Sequence, residues 1–342
     1  MQHCSTTGDA PTMLPHGGRL RAAAARYGIP PDHWLDLSTG INPHGWPVGE
    51  IPAVHWRCLP QDDDELPAAA GAYYGTGHVL PVAGSQAAIQ CLPQLRPPAR
   101  TVILHPGYAE HAAAWRRAGH AVTLVAAEDL DRHLRTPLEV AVLIHPNNPT
   151  GVRFPVDQLL DWHERLAARG GWLVVDEAFM DPTPEYSLCR YASRPGLIVL
   201  RSVGKFFGLA GARVGFVCAA PALLERLHAA LGPWPVNAPA RWVTTAALRD
   251  DTWQTTMRRH LCKAGQRLYH LLTRHDLPPE GGCALFQWAR TPRATELYEA
   301  LAQQGILTRL FRDPPSLRFG LPGEEAGWQR LDRALARCTR LR

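Results

Sequence analysis

Lysine is almost absent from this chain: of its 36 lysine and arginine residues, only Lys205 and Lys263 are lysines. Arginine serves most surface, ion-pairing and anion-binding purposes, but its guanidinium stays protonated and delocalised and does not condense with an aldehyde. A lysine kept in an arginine-dominated protein therefore points to amine chemistry. Lys205 lies in the stretch RSVGKFFGLAGARVGF, a short polar loop between two apolar runs. Lys263 falls in an amphipathic helical pattern and reads as an exposed residue.

Long apolar runs are missing as well. The longest, such as GLIVL and WLVV, fall far short of the roughly 20 residues that span a bilayer, so no membrane partner is expected. The N-terminal MQHCSTTGDAPTML lacks a basic start followed by an apolar run, so a signal peptide is not expected. Eight cysteines, at positions 4, 58, 91, 189, 218, 262, 283 and 338, form no Cys-x-x-Cys pair; most lie in apolar patterns, which implies reduced thiols and a cytoplasmic protein. The 16 histidines are scattered and no His-Glu-x-x-His spacing occurs, so no metal site is expected. Net charge is +5, yet there is no block of consecutive basic residues. That excludes a clustered nucleic-acid footprint and suits small anionic ligands better.

What is present is a long alternation of apolar runs with amphipathic segments across residues 79–219. Strands are predicted at TVILHP (101–106), AVTLVA (121–126), VAVLIHP (140–146), WLVVDEAF (172–179), GLIVLRS (196–202) and ARVGFVCAA (212–220). Helices are predicted at 109–119, stopped by Gly119, and at 155–171, opening on Pro155 and closing at Gly170. Such alternation indicates an α/β fold with a mostly parallel sheet covered on both faces. The Pro-rich LGPWPVNAPARW (231–242) reads as a boundary. A helical region (243–274) and strand-like CALFQWA (283–289) and SLRFGLP (316–322) follow it, as a smaller α+β domain. The resulting division is an N-terminal segment 1–55 packing with the small domain, a large domain 56–235 and a small domain 236–342.

Ligands of such sheets bind beyond the carboxyl ends of the strands. HPNNPTG, with Asn148, follows one predicted strand; Asp176 ends another; Ser202 and Lys205 follow a third, with Arg213 eight residues on. Upstream, Gly84, Ser85 and Gln86 stand between a strand and a helix, where free N–H groups and the helix dipole favour a phosphate. Together these residues describe a site for pyridoxal 5′-phosphate. The amine of Lys205 meets the aldehyde, and Asp176 keeps the pyridine nitrogen protonated so that the ring accepts electrons. Asn148 donates to the phenolic oxygen, Ser85, Ser202 and Arg213 hold the phosphate, and Tyr108 in HPGYAEH stacks on the ring.

The series HPNNPTG, VVDEAF and SVGK followed by GAR resembles that of the fold-type I, class I/II aminotransferase family. The spacings, 28 residues from Asn148 to Asp176 and 29 more to Lys205, are similar too, and the likeness runs from about residue 14 onward. It implies the fold-type I transferase architecture, a homodimer with shared active sites, and a late arginine, here Arg318, that receives the substrate α-carboxylate. Where related enzymes often place a tyrosine that reaches the partner's cofactor, in an RYP element, this chain reads RCLP with Leu59.

Within that family, the segment HGGRLRAAAARYGIPPDHWLDLSTGINPHGWP (16–47), DEAFMD (176–181) and PWPVNAPA (233–240) resemble the cobalamin-pathway threonine-phosphate decarboxylases. Phe179 stands where histidinol-phosphate aminotransferases usually carry tyrosine. The resemblance implies substrate contacts from His16, Gly17, Gly18, Asn42 and Asn237; Arg19 adds charge beside the HGG turn, and Arg309 in LTRLF is a candidate second anion partner. The HGG turn before a helix is itself suited to an anion, although that group commonly has asparagine where Arg19 stands. The implied reaction converts L-threonine O-3-phosphate, a phosphorylated amino acid, to (R)-1-aminopropan-2-ol O-2-phosphate and carbon dioxide. Two alternatives stay open: an aminotransferase for a phosphorylated substrate, of the histidinol-phosphate type, and a non-catalytic ligand-binding protein on the same scaffold.

Overall fold

The computed structural model describes residues 16–339; the N-terminal stretch read above for targeting, with Cys4, lies outside them. Its strands are β1 (Leu35–Asp36), β2 (Val79–Val82), β3 (Arg100–Leu104), β4 (Ala121–Val125), β5 (Val140–Ile144), β6 (Trp172–Asp176), β7 (Leu197–Ser202), β8 (Gly215–Ala219), β9 (Gly281–Cys283), β10 (Phe286–Arg290), β11 (Ile306–Leu307), β12 (Arg309–Arg312) and β13 (Pro315–Gly320). The helices are α1 (Leu20–Tyr27), α2 (Glu65–Tyr74), α3 (Ser85–Cys91), α4 (Ala109–Arg117), α5 (Leu130–Leu134), α6 (Val156–Ala167), α7 (Pro221–Leu231), α8 (Ala238–Leu248), α9 (Asp251–Arg274), α10 (Ala294–Ala302) and α11 (Glu325–Thr339).

Seven strands form one sheet in the order β2-β8-β7-β6-β5-β3-β4. From β7 to β4 every pairing is parallel, whereas β8 runs antiparallel to β7 and β2 antiparallel to β8. The strands are apolar without a break because both faces are covered. Val140, Val142, Val174, Ile198 and Leu200 pack on one side with Ala88 and Ile89 of α3, Trp115 of α4 and Leu227 of α7. Their neighbours Ala141, Leu143, Leu173, Val175 and Val199 pack on the other with α2 and α6, through Leu66, Leu159 and Trp162.

A second, antiparallel sheet has the order β12-β13-β10-β9. The segment before it in the chain is tied to this region: β1 pairs in parallel with β11, Leu35 opposite Ile306, and Ala23 and Ala24 of α1 pack with Trp34, Ala302 and Leu307. The helical pattern read across 243–274 breaks into α8 and α9. Asp250 causes the break, leaving the helix and accepting the Trp253 N–H at 3.0 Å as the cap of α9.

Candidate active site

β5, β6 and β7 are adjacent and parallel, so their carboxyl ends deliver Asn148, Asp176 and the Ser202–Lys205 loop to one edge of the sheet. Lys205 Nζ donates to the Thr39 carbonyl at 3.3 Å and lies 5.5 Å from the centre of the Phe179 ring. Burial brings the amine down from its ordinary value to about 8, helped by the neighbouring Arg318 cation and opposed by Asp176. An amine poised there is a usable nucleophile and proton carrier near neutrality.

Asp176 is buried at the end of β6. Its Oδ1 accepts the Ala178 N–H at 3.0 Å, and its Oδ2 lies 3.0 Å from His111 Nε2. His111 is a site residue that the sequence reading missed. It is almost fully buried and comes from α4, three residues after Tyr108 and so on the same side of the helix start. Tyr108 donates its hydroxyl to Gln86 Oε1 at 3.0 Å, and its ring stands 6.1 Å from that of His111 and 5.7 Å from that of His16. Burial, then the charges of Glu110 and Asp176, push the Tyr108 hydroxyl up to about 12, so it stays a neutral donor.

The turn between β2 and α3 is built for an anion. Gly84 has a φ of 72°, and a Cβ added there would come within 2.7 Å of the Arg213 guanidinium. Gly215, opposite Ser202 in the β7–β8 ladder, leaves room for the Ser85 N–H, which a Cβ there would meet at 2.4 Å. Missing side chains thus let Arg213, Ser85 and the backbone of 84–85 converge. Arg213 itself adopts a φ of 56°, unusual outside glycine, and donates to the Ala210 carbonyl at 3.1 Å. The Ser202 hydroxyl accepts the Gly204 N–H at 3.2 Å and shapes the loop that carries Lys205.

The other wall comes from the four-stranded sheet. Arg318 of β13 is buried and donates to Asn148 Oδ1 at 2.6 Å and to the Ser38 carbonyl at 2.5 Å. Burial, then the charge of Arg309, lowers its guanidinium to about 10. Arg309 of β12 is its direct cross-strand partner. The HGG turn reaches the same place: the Gly18 N–H donates to Ser38 Oγ at 2.8 Å, and a Cβ on Gly17 would lie 2.4 Å from the Ser38 carbonyl oxygen. Arg19 is exposed at the start of α1, near enough to Arg309 for its charge to be felt there.

Two of the residues expected to meet substrate are engaged with backbone. Asn42 donates to the His44 and Phe206 carbonyls at 3.1 and 2.8 Å and accepts the His44 N–H at 2.9 Å. Its own N–H donates to the Lys205 carbonyl at 3.0 Å, so it clamps the lysine loop. Asn237 is exposed and caps α8 by accepting the Ala240 N–H at 2.9 Å; among the described residues no hydrogen bond links it to the Lys205 group.

Pyridoxal phosphate fits this arrangement. The glycine-lined cradle under Arg213 matches a phosphate, the His111-braced Asp176 carboxylate matches a basic ring nitrogen, and the softened Lys205 amine matches an aldehyde. No group of three or more metal-binding side chains occurs among the described residues, and no helix there is long and apolar enough to cross a membrane.

The chain belongs to the aminotransferase class I and II family, whose model matches residues 56–335. Among its relatives, a threonine-phosphate decarboxylase of Pseudomonas aeruginosa is 56% identical over 323 residues, covering 94% of this chain and 97% of that one. A threonine-phosphate decarboxylase of a Sinorhizobium species is 44% identical over 329 residues, with 94% and 97% covered. The fold is that of the histidinol-phosphate aminotransferase from Clostridium acetobutylicum, with a TM-score of 0.80 at 20% identity over 90% of this chain and 100% of the other.

Proposed function

We propose that this protein decarboxylates L-threonine O-3-phosphate to (R)-1-aminopropan-2-ol O-2-phosphate in cobalamin biosynthesis, with pyridoxal 5′-phosphate as its cofactor. Its similarity to threonine-phosphate decarboxylases over nearly the whole chain supports the reaction. The observation that carries the substrate is the Arg309–Arg318 cross-strand pair. Like charges directly opposite in a ladder repel, and a substrate with both a carboxylate and a phosphate relieves that repulsion.

When bound, pyridoxal phosphate supplies an aldehyde for the substrate amine and a ring that accepts the electron pair released at Cα. Asp176, braced by His111, holds the ring-nitrogen proton, while Gly84, Ser85, Ser202 and Arg213 hold the phosphate. Arg318 takes the substrate carboxylate; Arg309, Arg19 and the HGG turn take its phosphate. Two anchors on one small molecule restrict rotation about Cα, so binding energy at the phosphate would fix which bond to Cα is held for cleavage. The Cα–carboxylate bond breaks, carbon dioxide leaves, and Lys205 Nζ delivers a proton to Cα. Phe179 brings no hydroxyl to this side of the site, which leaves Asn148 as the partner of the phenolic oxygen.

The large and small domains are read as 56–235 and 236–342, with the preceding segment strapped to the latter. A homodimer is supported by Val54, Trp56 and Leu59, apolar side chains that are 56%, 67% and 65% exposed on one short stretch. A cytoplasmic setting is supported by the seven described cysteines, all unpaired. The deciding assay supplies L-threonine O-3-phosphate to the holoenzyme with and without 2-oxoglutarate. Carbon dioxide and aminopropanol phosphate without any keto acid is the expected result; glutamate formed only with 2-oxoglutarate makes the protein an aminotransferase.

A further inference from the structure

Glu110 has no part in the reaction just described, yet its carboxylate gathers three side chains. Oε1 lies 2.7 Å from His16 Nε2, and Oε2 accepts from Gln86 Nε2 at 3.1 Å and Gln90 Nε2 at 3.0 Å. Gln86 in turn accepts from Tyr108. Glu110 is well covered and His16 about one-third exposed, with side-chain accessibilities of 15% and 36%. A hydrogen bond so covered meets less competition from water than one on the open surface.

The two partners come from different parts of the fold. Glu110 stands in the first turn of α4, on the layer that covers the seven-stranded sheet. His16 heads the strap 16–19, whose other attachment, Gly18 to Ser38, lies beside Arg318 of the four-stranded sheet. The His16–Glu110 contact therefore carries the strap across the mouth of the site. A carboxylate only accepts hydrogen bonds, so His16 Nε2 is the donor and Nδ1 is left over for another partner.

We infer that Glu110 is a positioning residue: it latches the strap over the site and aligns His16 and the HGG turn for the substrate phosphate. The inference rests on the functional reading above, because it takes the strap to be the phosphate-binding element. Gln86, on the same carboxylate, and Tyr108, which donates to Gln86, connect the latch to the ring-stacking side of the site. Closure of the strap and placement of the ring are thereby set by one group.

The test compares wild type, E110A, E110Q, H16A and the E110A/H16A double variant as holoenzymes. In E110A the KM for L-threonine O-3-phosphate should rise about tenfold while kcat stays within about threefold, since the residue orders a binding element and not the reacting atoms. E110Q, which keeps an acceptor but not the charge, should fall between, with KM raised at least about threefold. The double variant should be no more than about twofold worse than H16A, because both act through one contact. A KM within twofold of wild type in E110Q, or single effects that multiply fully in the double variant, overturns the inference. E110Q is nearly isosteric and decides the matter if E110A does not fold.

A second readout needs no turnover. Trypsin cleavage after Arg19 or Arg21, without substrate, should be at least about fivefold faster in E110A and E110Q than in wild type if the latch holds the strap closed. Equal cleavage rates sink the latch. Wild type that yields no aminopropanol phosphate but shows these cleavage differences would leave the latch standing and remove the functional reading instead.

Discussion

Two clusters of charge, one buried and one partly open, sit on neighbouring residues at the ends of the same strands. In the first, Arg201 is 2% exposed and donates to Glu177 Oε2 and Asp181 Oδ1, both at 2.6 Å, with the Tyr74 ring 4.7 Å away. Glu177 also accepts from the Ser187 hydroxyl at 2.5 Å and the Leu188 N–H at 2.7 Å, and Asp181 from the Tyr73 hydroxyl at 2.9 Å. In the second, Lys205, Arg213 and Arg318 form no ion pair among the described residues, and the Asp176 carboxylate that acts on Lys205 is turned to His111. Asp176 and Glu177 are sequence neighbours, as are Arg201 and Ser202, and alternation along an extended chain sends each pair to opposite sides. One cluster is closed upon itself and fastens the strand ends together. The other keeps its cations for anions that arrive, which is what separates a structural salt bridge from a site.

The contrast breaks most sharply at Lys205. Replacing it with alanine should abolish borohydride fixation of the cofactor to the chain and lower turnover by about 10⁴-fold, the upper end for removal of a positioned proton carrier. Peptide mass mapping after reduction checks the first, and the carbon dioxide assay the second. Fixation that survives in K205A places the aldehyde elsewhere.

Next come the two arginines, whose losses should differ in kind. R201M strands two buried carboxylates and should cost about 3–5 kcal/mol of stability, read as a lower midpoint in urea unfolding. R318A removes a cation that forms no ion pair among the described residues. Its stability should fall less than that of R201M, by about 1–3 kcal/mol for the acceptors of Asn148 and Ser38 left unpaired, whereas kcat/KM for L-threonine O-3-phosphate should fall about 10²-fold or more, as for a lost charged anchor. Equal destabilisation by both substitutions would erase the distinction between the clusters.

The open cluster was far more legible in the sequence than the closed one. Lys205, Asp176 and Asn148 announce themselves because each falls where an apolar run ends, a place a parallel sheet turns toward its ligand. Arg201, Glu177 and Asp181 lie inside or just beyond such runs, and only the three-dimensional crossing of β6, β7 and α2 reveals that they meet. His111 was hidden for a related reason: in AEHAAAW it reads as one more residue of an amphipathic helix, and only its spacing from Tyr108 hinted at its place. Direction and register were also out of reach. Residues 215–219 are apolar whichever way β8 runs, and Arg309 faces Arg318 only because the turn between β12 and β13 sets that register. The engagement of Asn42 with the lysine loop is likewise a matter of tertiary contact, since its motif looks the same whether the amide meets backbone or substrate.

A smaller effect tests how burial and Arg318 act on the amine. With the Lys205 amine at about 8, modification of residue 205 in the cofactor-free protein by an amine-reactive reagent should rise through pH 8 and level off above it. In R318A the midpoint at residue 205 should move up, because one lowering charge is gone while burial remains. The sign for stability follows: the folded amine releases its proton before the unfolded one, so Lys205 disfavours folding below pH 8. That penalty is relieved between pH 8 and the ordinary lysine range, where stability gains with rising pH.

The smallest expected effect is at Asn237, and it asks on which side of the comparison that residue falls. Its side chain accepts the Ala240 N–H and starts α8, so N237A should cost about 1 kcal/mol of stability, the usual value of a lost cap. N237D, whose carboxylate caps at least as well beside the helix N-terminus, should restore the unfolding midpoint. Neither variant should change KM for the phosphorylated substrate by more than about twofold if the residue works only as a cap. A KM that rises in both, with stability intact in N237D, would instead mean that the Asn237 amide itself meets the phosphorylated substrate. Asn237 would then join Arg318 among the groups assigned to the substrate, and the open cluster would extend to the start of α8.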